Sequence, residues 1–191
     1  MTYTFSPNTL WFESSEIKAL IFNFLRQDQV NNILEIGSYE GASSVFFADN
    51  FLSDDKSTLT CVDPFLSIDD NDHKNILTST QEENFLNNIS RTLFPDKITF
   101  KKTTSDVFLK ENDKTFNFIY IDGCHEPNQV VSDLDNCIKI ITDDGIIWMD
   151  DYGGGNPPIK PVVDQYLLDK KPPLQLIHSG YQIAFRKIIE E

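Results

Sequence analysis

The sequence predicts an α/β fold in which a largely parallel β-sheet is covered by helices on both faces. Its predicted strands are short, continuously apolar runs, such as "FNFIYI" and "GIIWM", rather than runs that alternate with polar residues. Helical patterns separate these strands, which is typical of a parallel sheet buried on both faces. Near the C-terminus, "LQLIH" and "YQIAFRK" flank a turn at Ser179 and Gly180, which predicts a closing antiparallel hairpin.

The first half of the chain predicts a helix followed by two strands. "SSEIKALIFNFLRQDQ" has apolar residues at helical spacing, with Ser14 and Ser15 as candidate caps. "NILEI" is a short buried strand that meets the glycine turn "GSYEG", and "ASSVFFADNFL" suits a helix. "TLTCV" is the second strand and ends at Asp63. Residues 64–79 are polar and unpatterned, and they predict an active-site flap that becomes ordered on binding.

The second half continues the same alternation. Thr80 and Glu83 have capping-box spacing, so we expect a helix that ends before Pro95. "KITFKK" and "FNFIYI" are the third and fourth strands, and Pro127 opens the next amphipathic helix. "GIIWM" is the fifth strand, and "PPIKPVVDQYLLDK" predicts a helix before the hairpin. We predict one domain over residues 1–191, with residues 1–30 as an N-terminal helical segment that packs on the core.

Composition excludes several classes of function. The 191 residues suffice for one well-buried core, and the formal net charge of -14 argues against a nucleic-acid partner. No apolar run approaches the ~18 residues of a membrane-spanning helix. The three cysteines lack the spacing of a zinc site, and "MTYTFSPNTL" lacks the features of a secretory signal. We therefore expect a cytoplasmic protein that binds neither nucleic acid nor membrane.

Glycine or acid follows four of the predicted strands, at Gly37, Asp63, Asp122 and Asp150. Ligands of open parallel sheets bind outside the carboxyl ends of the strands, so these residues lie where chemistry is expected. Asp150 is followed directly by Asp151, and His125 lies close to Asp122 in sequence. Three carboxylates in one place repel one another, and this is costly unless a cation or a reaction needs them there. The alternative is that the acids cap helices and His125 lies in a surface loop.

The stretch "LEIGSYEGAS" places Glu35, Gly37 and Gly41 around a strand-to-helix turn. Glycines there allow a tight turn and close approach of a ligand. The dinucleotide fingerprint G-x-G-x-x-G is not met, because Tyr39 occupies the middle glycine position. Asp63 lies where nucleotide-binding sheets place an acid for two ribose hydroxyls. An ordinary turn and a solvated acid would each look similar alone, but together they favour nucleotide binding.

From about residue 34 to residue 186, with the preceding helix, the chain resembles the class I S-adenosylmethionine-dependent methyltransferases. It resembles most the small branch that includes metal-dependent sugar O-methyltransferases acting on macrolide antibiotics. "ILEIGSYEGASS", "CVDP" and "TTSDVFL" are similar to the motifs that bind the cofactor, its ribose and its adenine. The resemblance implies a Rossmann-like fold with a seven-stranded, mostly parallel sheet whose last strand is antiparallel. It also implies a set of cofactor-binding residues: Glu35, Gly37, Ser38, Tyr39, Gly41, Ser43, Asp63, Ser105, Asp106 and Asp122.

The segment "YIDGCHEPNQVVSDL" and the later "DDGIIWMDDY" resemble the metal and base motifs of the sugar enzymes. The resemblance implies that Asp122, Asp150 and Asp151 bind a metal and that His125, with Asp122, is catalytic. The chemistry asks independently for such a set, because an alkyl hydroxyl is a poor nucleophile at neutral pH. A carboxylate-bound Mg²⁺ lowers the pKa of a coordinated oxygen, and a histidine can take the proton.

The implied reaction is Mg²⁺-assisted methyl transfer from S-adenosylmethionine to a hydroxyl of a small carbohydrate-like acceptor, such as a sugar or nucleotide-sugar. Two alternatives stay open: methylation of another small molecule, such as a catechol-like diol or an amine, and a catalytically silent methyltransferase-like binding module. A nicotinamide dehydrogenase is disfavoured by Tyr39 and by the terminal hairpin. The acceptor is expected to be held by the flap, the N-terminal helix, the "YGGGNPP" loop or the partner subunit of a homo-oligomer.

Overall fold

The structure of the protein, a computed structural model, describes residues 2–6, 12, 15–65, 80–155 and 157–189. The predicted flap therefore lies outside the described residues except for its first two, Pro64 and Phe65. No helix in these ranges has both the length and the apolar character needed to cross a membrane.

Seven strands form one sheet in the order β3-β2-β1-β4-β5-β7-β6. They are β1 (Asn32–Ile36), β2 (Thr58–Val62), β3 (Ile98–Lys101), β4 (Phe116–Ile121), β5 (Ile141–Met149), β6 (Leu174–Ser179) and β7 (Ile183–Lys187). The first five strands are parallel to one another, and β7 runs antiparallel to both β5 and β6. This confirms the predicted Rossmann-like sheet with its antiparallel last strand.

The register of the central strands brings the predicted site residues to one edge. Strand β1 lies between β2 and β4, so the strand order reverses at this point. The last residues of β1 and β2 are partners, as are those of β1 and β4 and those of β4 and β5. The next residue of each strand therefore lies at the same level, and these residues are Gly37, Asp63, Asp122 and Asp150.

In the part of the chain that the structure describes, six α-helices cover the sheet: α1 (Glu16–Leu20), α2 (Ala42–Phe51), α3 (Gln81–Ile89), α4 (Ser105–Glu111), α5 (Pro127–Ile140) and α6 (Lys160–Lys170). Buried side chains of α1, α2 and α3 share one apolar cluster with one face of the sheet, and those of α4, α5 and α6 share a second cluster with the other face. The two faces of each central strand are thus covered, which explains why those strands are continuously apolar.

The N-terminal helix is shorter than the sequence pattern predicts. Helix α1 ends at Leu20, and a single 3₁₀ turn follows it. Ile17, Ile21 and Leu25 are buried, so the apolar stripe is used as predicted. The next residues turn instead of continuing the helix: Arg26 donates from Nε and Nη2 to the two carboxylate oxygens of Asp28, 2.9 Å and 2.8 Å away. That spacing closes a turn, because residues two apart do not face each other on a helix.

Candidate active site

The turn between β1 and α2 is built from residues in left-handed backbone conformations. Gly37 has φ +85° and Gly41 has φ +84°, and Tyr39 between them has φ +48°. Tyr39 thus adopts a conformation that favours glycine, in keeping with its place at the middle glycine position. Gly37 also packs against the main chain after β4, since a Cβ there would lie 1.9 Å from the Asp122 carbonyl oxygen.

Glu35, the last acid of β1, is fully buried beneath this turn. Its Oε2 accepts hydrogen bonds from the Ser38 hydroxyl at 2.8 Å and from the Ser44 hydroxyl. Among the described residues, its Oε1 has no hydrogen-bond partner. Burial raises the pKa of this carboxyl above its ordinary value. Ser43 is buried at the start of α2, and its contact with a cofactor stays a prediction, whereas the contact of Ser44 with Glu35 was not predicted.

Asp63 ties the turn to the end of β2. Its Oδ2 accepts from the main-chain N–H groups of Ser38 and Tyr39, each at 2.9 Å. Its Oδ1 accepts from the N–H of Phe65 at 2.7 Å. A carboxylate has about four acceptor positions, so capacity for a further donor remains. The role of Asp63 toward a ribose stays a prediction, and the structure adds a role in holding the turn.

Ser105 and Asp106 open α4 and face the first turns of α5. Gln129 donates from Nε2 to the Ser105 hydroxyl at 3.1 Å and to the buried Asp133 at 2.9 Å. The Ser132 hydroxyl donates to Asp106 Oδ1 at 2.8 Å. Ser105 and Asp106 thus lie on a hydrogen-bonded junction of two helices that follow sheet strands. Their predicted contact with adenine stays a prediction.

Three of the four residues predicted for metal binding or base catalysis converge. Asp122, His125 and Asp151 each place a ligand atom within 4.8 Å of the others. His125 Nε2 lies 3.1 Å from Asp151 Oδ2, and both side chains are about four-fifths buried, with 18% and 20% of their surface exposed. The residues come from the loop after β4 and the loop after β5, which the parallel pairing of these strands brings together.

Asp150, the fourth predicted residue, is held by hydrogen bonds beside these three. Its Oδ2 accepts from the Tyr120 hydroxyl at 2.5 Å, and its Oδ1 accepts from the N–H of Asp151 at 2.7 Å. The same Tyr120 hydroxyl lies 3.4 Å from Asp122 Oδ2. Asp150 thus supports Asp151, whose backbone is left-handed with φ +55°. Its role as a metal ligand stays a prediction.

Burial and mutual repulsion dominate the electrostatics of this acidic cluster. Burial raises the pKa of Asp122 well above its ordinary value, and the charges of Asp150, Asp151 and Glu35 add to the effect. Burial also raises the pKa of Asp150, with the charge of Asp151 acting in the same direction. A small cavity beside Asp122, His125 and Asp150 has room for roughly one water molecule. The acidic cluster of Asp122, Asp150 and Asp151 is therefore more stable with a bound cation or a proton than with three free carboxylates.

Comparison with known proteins assigns the family. A family model described as a methyltransferase domain matches residues 34–152, which include the glycine turn and the whole acidic cluster. The chain belongs to this methyltransferase family. None of the curated proteins matches the methyltransferase.

Solved structures share its fold across nearly the whole chain. An O-methyltransferase from Bacillus cereus in complex with SAH has a TM-score of 0.60 at 17% identity, covering 98% of this chain and 84% of that one. The O-methyltransferase NovP has a TM-score of 0.64 at 18% identity, covering 91% and 76%. The N-methyltransferase NodS from Bradyrhizobium japonicum, in complex with S-adenosyl-L-homocysteine, has a TM-score of 0.58 at 16% identity, covering 92% and 87%.

The geometry of the methyltransferase site fits a nucleotide-like cofactor on two counts. The buried Oε1 of Glu35, which no described residue pairs with, offers an acceptor beneath the turn. Asp63 keeps acceptor capacity beyond its three main-chain donors, which suits the hydroxyl groups of a ribose. Glu35, Gly37 and Asp63 are the residues that would hold the group.

The acidic cluster fits a hard divalent cation. Carboxylate oxygens are the ligands that Mg²⁺ and Mn²⁺ prefer, and Asp122 and Asp151 supply them at one point. Burial and the charges of Asp150, Asp151 and Glu35 raise the pKa of Asp122, and a bound cation would offset both causes. Asp122 and Asp151 would hold the ion, with His125 as the third group in reach.

Proposed function

We propose that this methyltransferase transfers a methyl group from S-adenosylmethionine to a hydroxyl of a small carbohydrate-like acceptor, assisted by Mg²⁺, with His125 as the base. One observation carries the proposal. The cluster of Asp122, His125 and Asp151 lies directly beside the glycine turn, because Gly37 packs against the main chain of Asp122. A methyl donor in the turn and a cation in the cluster would therefore be neighbours.

The cofactor assignment rests on the family and on the two SAH-bound neighbours, the B. cereus enzyme and NodS. Bound S-adenosylmethionine would supply an electrophilic methyl group. In this chain Glu35 would accept a hydrogen bond beneath the turn, and Asp63 would accept from the ribose while holding the N–H groups of Ser38 and Tyr39. Ser105 and Asp106 would contact the adenine.

His125 is arranged as a base oriented by a carboxylate. Its Nε2 faces Asp151 Oδ2, so in the tautomer that donates from Nε2 to Asp151 the lone pair lies on Nδ1. Nδ1 is then the atom that would take a proton from the acceptor hydroxyl. A nitrogen that carries a proton cannot also bind a cation, so this tautomer favours the base role of His125 over a ligand role. Asp122 and Asp151 would then hold Mg²⁺, which lowers the pKa of a coordinated hydroxyl.

A cation position and a base in one site together favour an oxygen acceptor. An aliphatic ammonium has a pKa of about 10 and needs only to lose that proton, whereas an alkyl hydroxyl has a pKa far above neutrality and is a poor nucleophile until it is deprotonated. A site with both a cation position and a base suits the more demanding nucleophile. The O-methyltransferase neighbours and the resemblance to the sugar-modifying branch support this choice.

A transfer assay with methyl-labelled S-adenosylmethionine tests the proposal. The acceptors are a panel of sugars and nucleotide-sugars, with a catechol and an amine for comparison, each with Mg²⁺ and with excess EDTA. We expect label on a sugar hydroxyl with Mg²⁺ only, and a roughly 10²–10⁴-fold lower rate for His125→Ala. The control is His178→Gln, which changes a histidine bonded to Glu16 outside the cluster. Transfer to the amine that persists in EDTA and in His125→Ala would contradict the proposal, and SAH binding without any transfer would indicate a binding module.

A further inference from the structure

We propose that Tyr181, in the turn between β6 and β7, is a positioning residue that fixes the direction of the Asp151 carboxylate within the site. The inference rests on the proposed function of Asp151 and adds a residue that neither the sequence motifs nor the family match identifies. The hydroxyl of Tyr181 donates to Asp151 Oδ1 at 2.5 Å. Asp151 Oδ2 faces His125 Nε2 at 3.1 Å. Each oxygen of this carboxylate therefore has its own partner, and its rotation is fixed.

The main-chain contacts of Asp151 do not by themselves fix the rotation of its carboxylate. The N–H of Asp151 is held by Asp150 Oδ1 at 2.7 Å, and the backbone is left-handed. These contacts set where the Asp151 side chain starts, but they do not set the plane of its carboxylate. Tyr181 constrains one carboxylate oxygen and His125 faces the other.

The glycine run at 153–155 makes room for this pair. A Cβ on Gly154 would lie 1.8 Å from Cε2 of the Tyr181 ring. A Cβ on Gly155 would lie 2.7 Å from Cβ of Asp151 and 3.2 Å from its Oδ1. A Cβ on Gly153 would lie 2.4 Å from the carbonyl oxygen of Gly180. A side chain at any of the three positions would therefore clash with Tyr181, with Gly180 or with Asp151.

The backbone of Tyr181 is itself anchored on two sides. Its carbonyl accepts from the N–H of Gly153 at 2.8 Å. Its N–H donates to Glu16 Oε1 of α1 at 3.2 Å, and the N–H of Gln182 donates to Glu16 Oε2 at 2.9 Å. The turn therefore cannot shift without breaking contacts to both α1 and the glycine loop. The ring remains half exposed, with 49% of the residue's surface accessible, so it borders the cluster from the solvent side.

Two other roles for Tyr181 predict different outcomes. If the ring only packs on Gly154, its hydroxyl is dispensable and Tyr181→Phe behaves as the native protein does. If the hydroxyl competes with a cation for Asp151, Tyr181→Phe binds the cation more tightly. If the hydroxyl orients Asp151, Tyr181→Phe binds the cation more weakly, because loss of a partner that orients a metal ligand lowers metal affinity by roughly 10–100-fold.

The first measurement is Mn²⁺ binding to the full chain, followed by electron paramagnetic resonance of the free ion. We expect Tyr181→Phe to bind Mn²⁺ roughly 10–100-fold more weakly, with the calorimetric affinity for SAH unchanged. The matched control is Tyr166→Phe, which also removes a hydroxyl that donates to an aspartate, Asp135, but between α5 and α6. Unchanged or tighter Mn²⁺ binding by Tyr181→Phe would overturn the proposal.

The second measurement does not depend on a metal. Two-dimensional ¹H–¹⁵N spectra report the tautomer of His125, whose signals His125→Ala identifies. We expect the native protein to hold the proton on Nε2, and Tyr181→Phe to show a mixture of tautomers as Asp151 loses its fixed direction. If the native protein binds no Mn²⁺ but this change occurs, the metal proposal fails and the role of Tyr181 stands. An unchanged tautomer in Tyr181→Phe contradicts that role.

A double-mutant cycle tests whether Gly154 affects the site through its contact with the Tyr181 ring. Gly154→Ala places a methyl group in the space of the Tyr181 ring, so it should weaken Mn²⁺ binding about as much as Tyr181→Phe does. In a Tyr181→Ala background the ring is absent, and the added methyl group should then have no further effect. Equal effects of Gly154→Ala in both backgrounds would show that the glycine acts independently of Tyr181, against the proposal.

Discussion

The contact between Gly37 and the main chain of Asp122 joins the glycine turn to the acidic cluster, and replacing this glycine tests it. In Gly37→Ala the new Cβ would lie 1.9 Å from the Asp122 carbonyl oxygen and 2.5 Å from its carbonyl carbon, whereas ordinary contacts begin near 3.4 Å. The two main chains must therefore separate by about 1.5 Å. The N–H of Asp122 donates to the Ile36 carbonyl at 2.8 Å, so this separation also strains that hydrogen bond.

Two costs add in Gly37→Ala. A non-glycine residue at φ +85° costs about 1–2 kcal/mol, and forcing extra volume into a packed site costs about 1–3 kcal/mol. We expect the free energy of unfolding to fall by about 2–5 kcal/mol. Gly41→Ala is the matched control, because its φ is +84° but its nearest contact is a Phe85 side-chain atom at 3.1 Å. That variant should lose only about 1–2 kcal/mol.

Equilibrium unfolding in urea measures both variants under the same conditions. The expected difference between them, about 1–3 kcal/mol, belongs to the clash with Asp122. Gly37→Ala should also weaken Mn²⁺ binding, since Asp122 must move, whereas Gly41→Ala should not. Equal stabilities of the two variants, with equal Mn²⁺ affinities, would refute the close packing of the turn against the cluster.

Three further outcomes follow from the site. Burial raises the pKa of Glu35, so the native protein loses stability as pH rises from the ordinary carboxyl range through that raised value. Glu35→Gln has no such group, so its free energy of unfolding in urea should gain on that of the native protein between about pH 5 and about pH 8. The gain should be ~1.4 kcal/mol per unit by which the pKa differs between the folded and unfolded states. For the same reason Asp122→Asn should be more stable than the native protein at about pH 8 without metal. It should also abolish the rise in melting temperature that we expect Mg²⁺ to give the native protein. Asp63→Ala removes the acceptor of three main-chain N–H groups, so it should cost about 2–4 kcal/mol and weaken SAH binding, with Asp96→Ala as a surface control.

The sheet could be predicted from sequence because each central strand is short, apolar and followed by a helix. Strands β1, β2 and β4 begin and end where the apolar runs do. Once the strands are parallel neighbours, the residue after each strand must lie at one edge, so the positions of Gly37, Asp63 and Asp122 follow without knowledge of side-chain contacts.

The finer features depend on contacts that the local pattern does not contain. Helix α4 is short and largely exposed, so it has no long apolar stripe to predict it. The meeting of Tyr181 with Asp151 joins residues 30 positions apart through a turn and a glycine loop. Asp150 and Asp151 are chemically equal in sequence, and only the structure shows that Asp150 accepts from the Tyr120 hydroxyl whereas Asp151 faces His125 and Tyr181. The run of three glycines at 153–155 is the one local sequence feature that indicates the close approach of Tyr181 to this loop.

In the proposed site, a methyl donor and a divalent cation bind side by side, in the glycine turn and the acidic cluster. Paramagnetic broadening of bound SAH by Mn²⁺ measures this directly in solution. We predict that Mn²⁺ broadens the proton signals of the homocysteine part more strongly than those of the adenine, and that Asp151→Asn removes the effect while SAH still binds. SAH that binds with signals unaffected by Mn²⁺, or with the adenine broadened most, would contradict the claim.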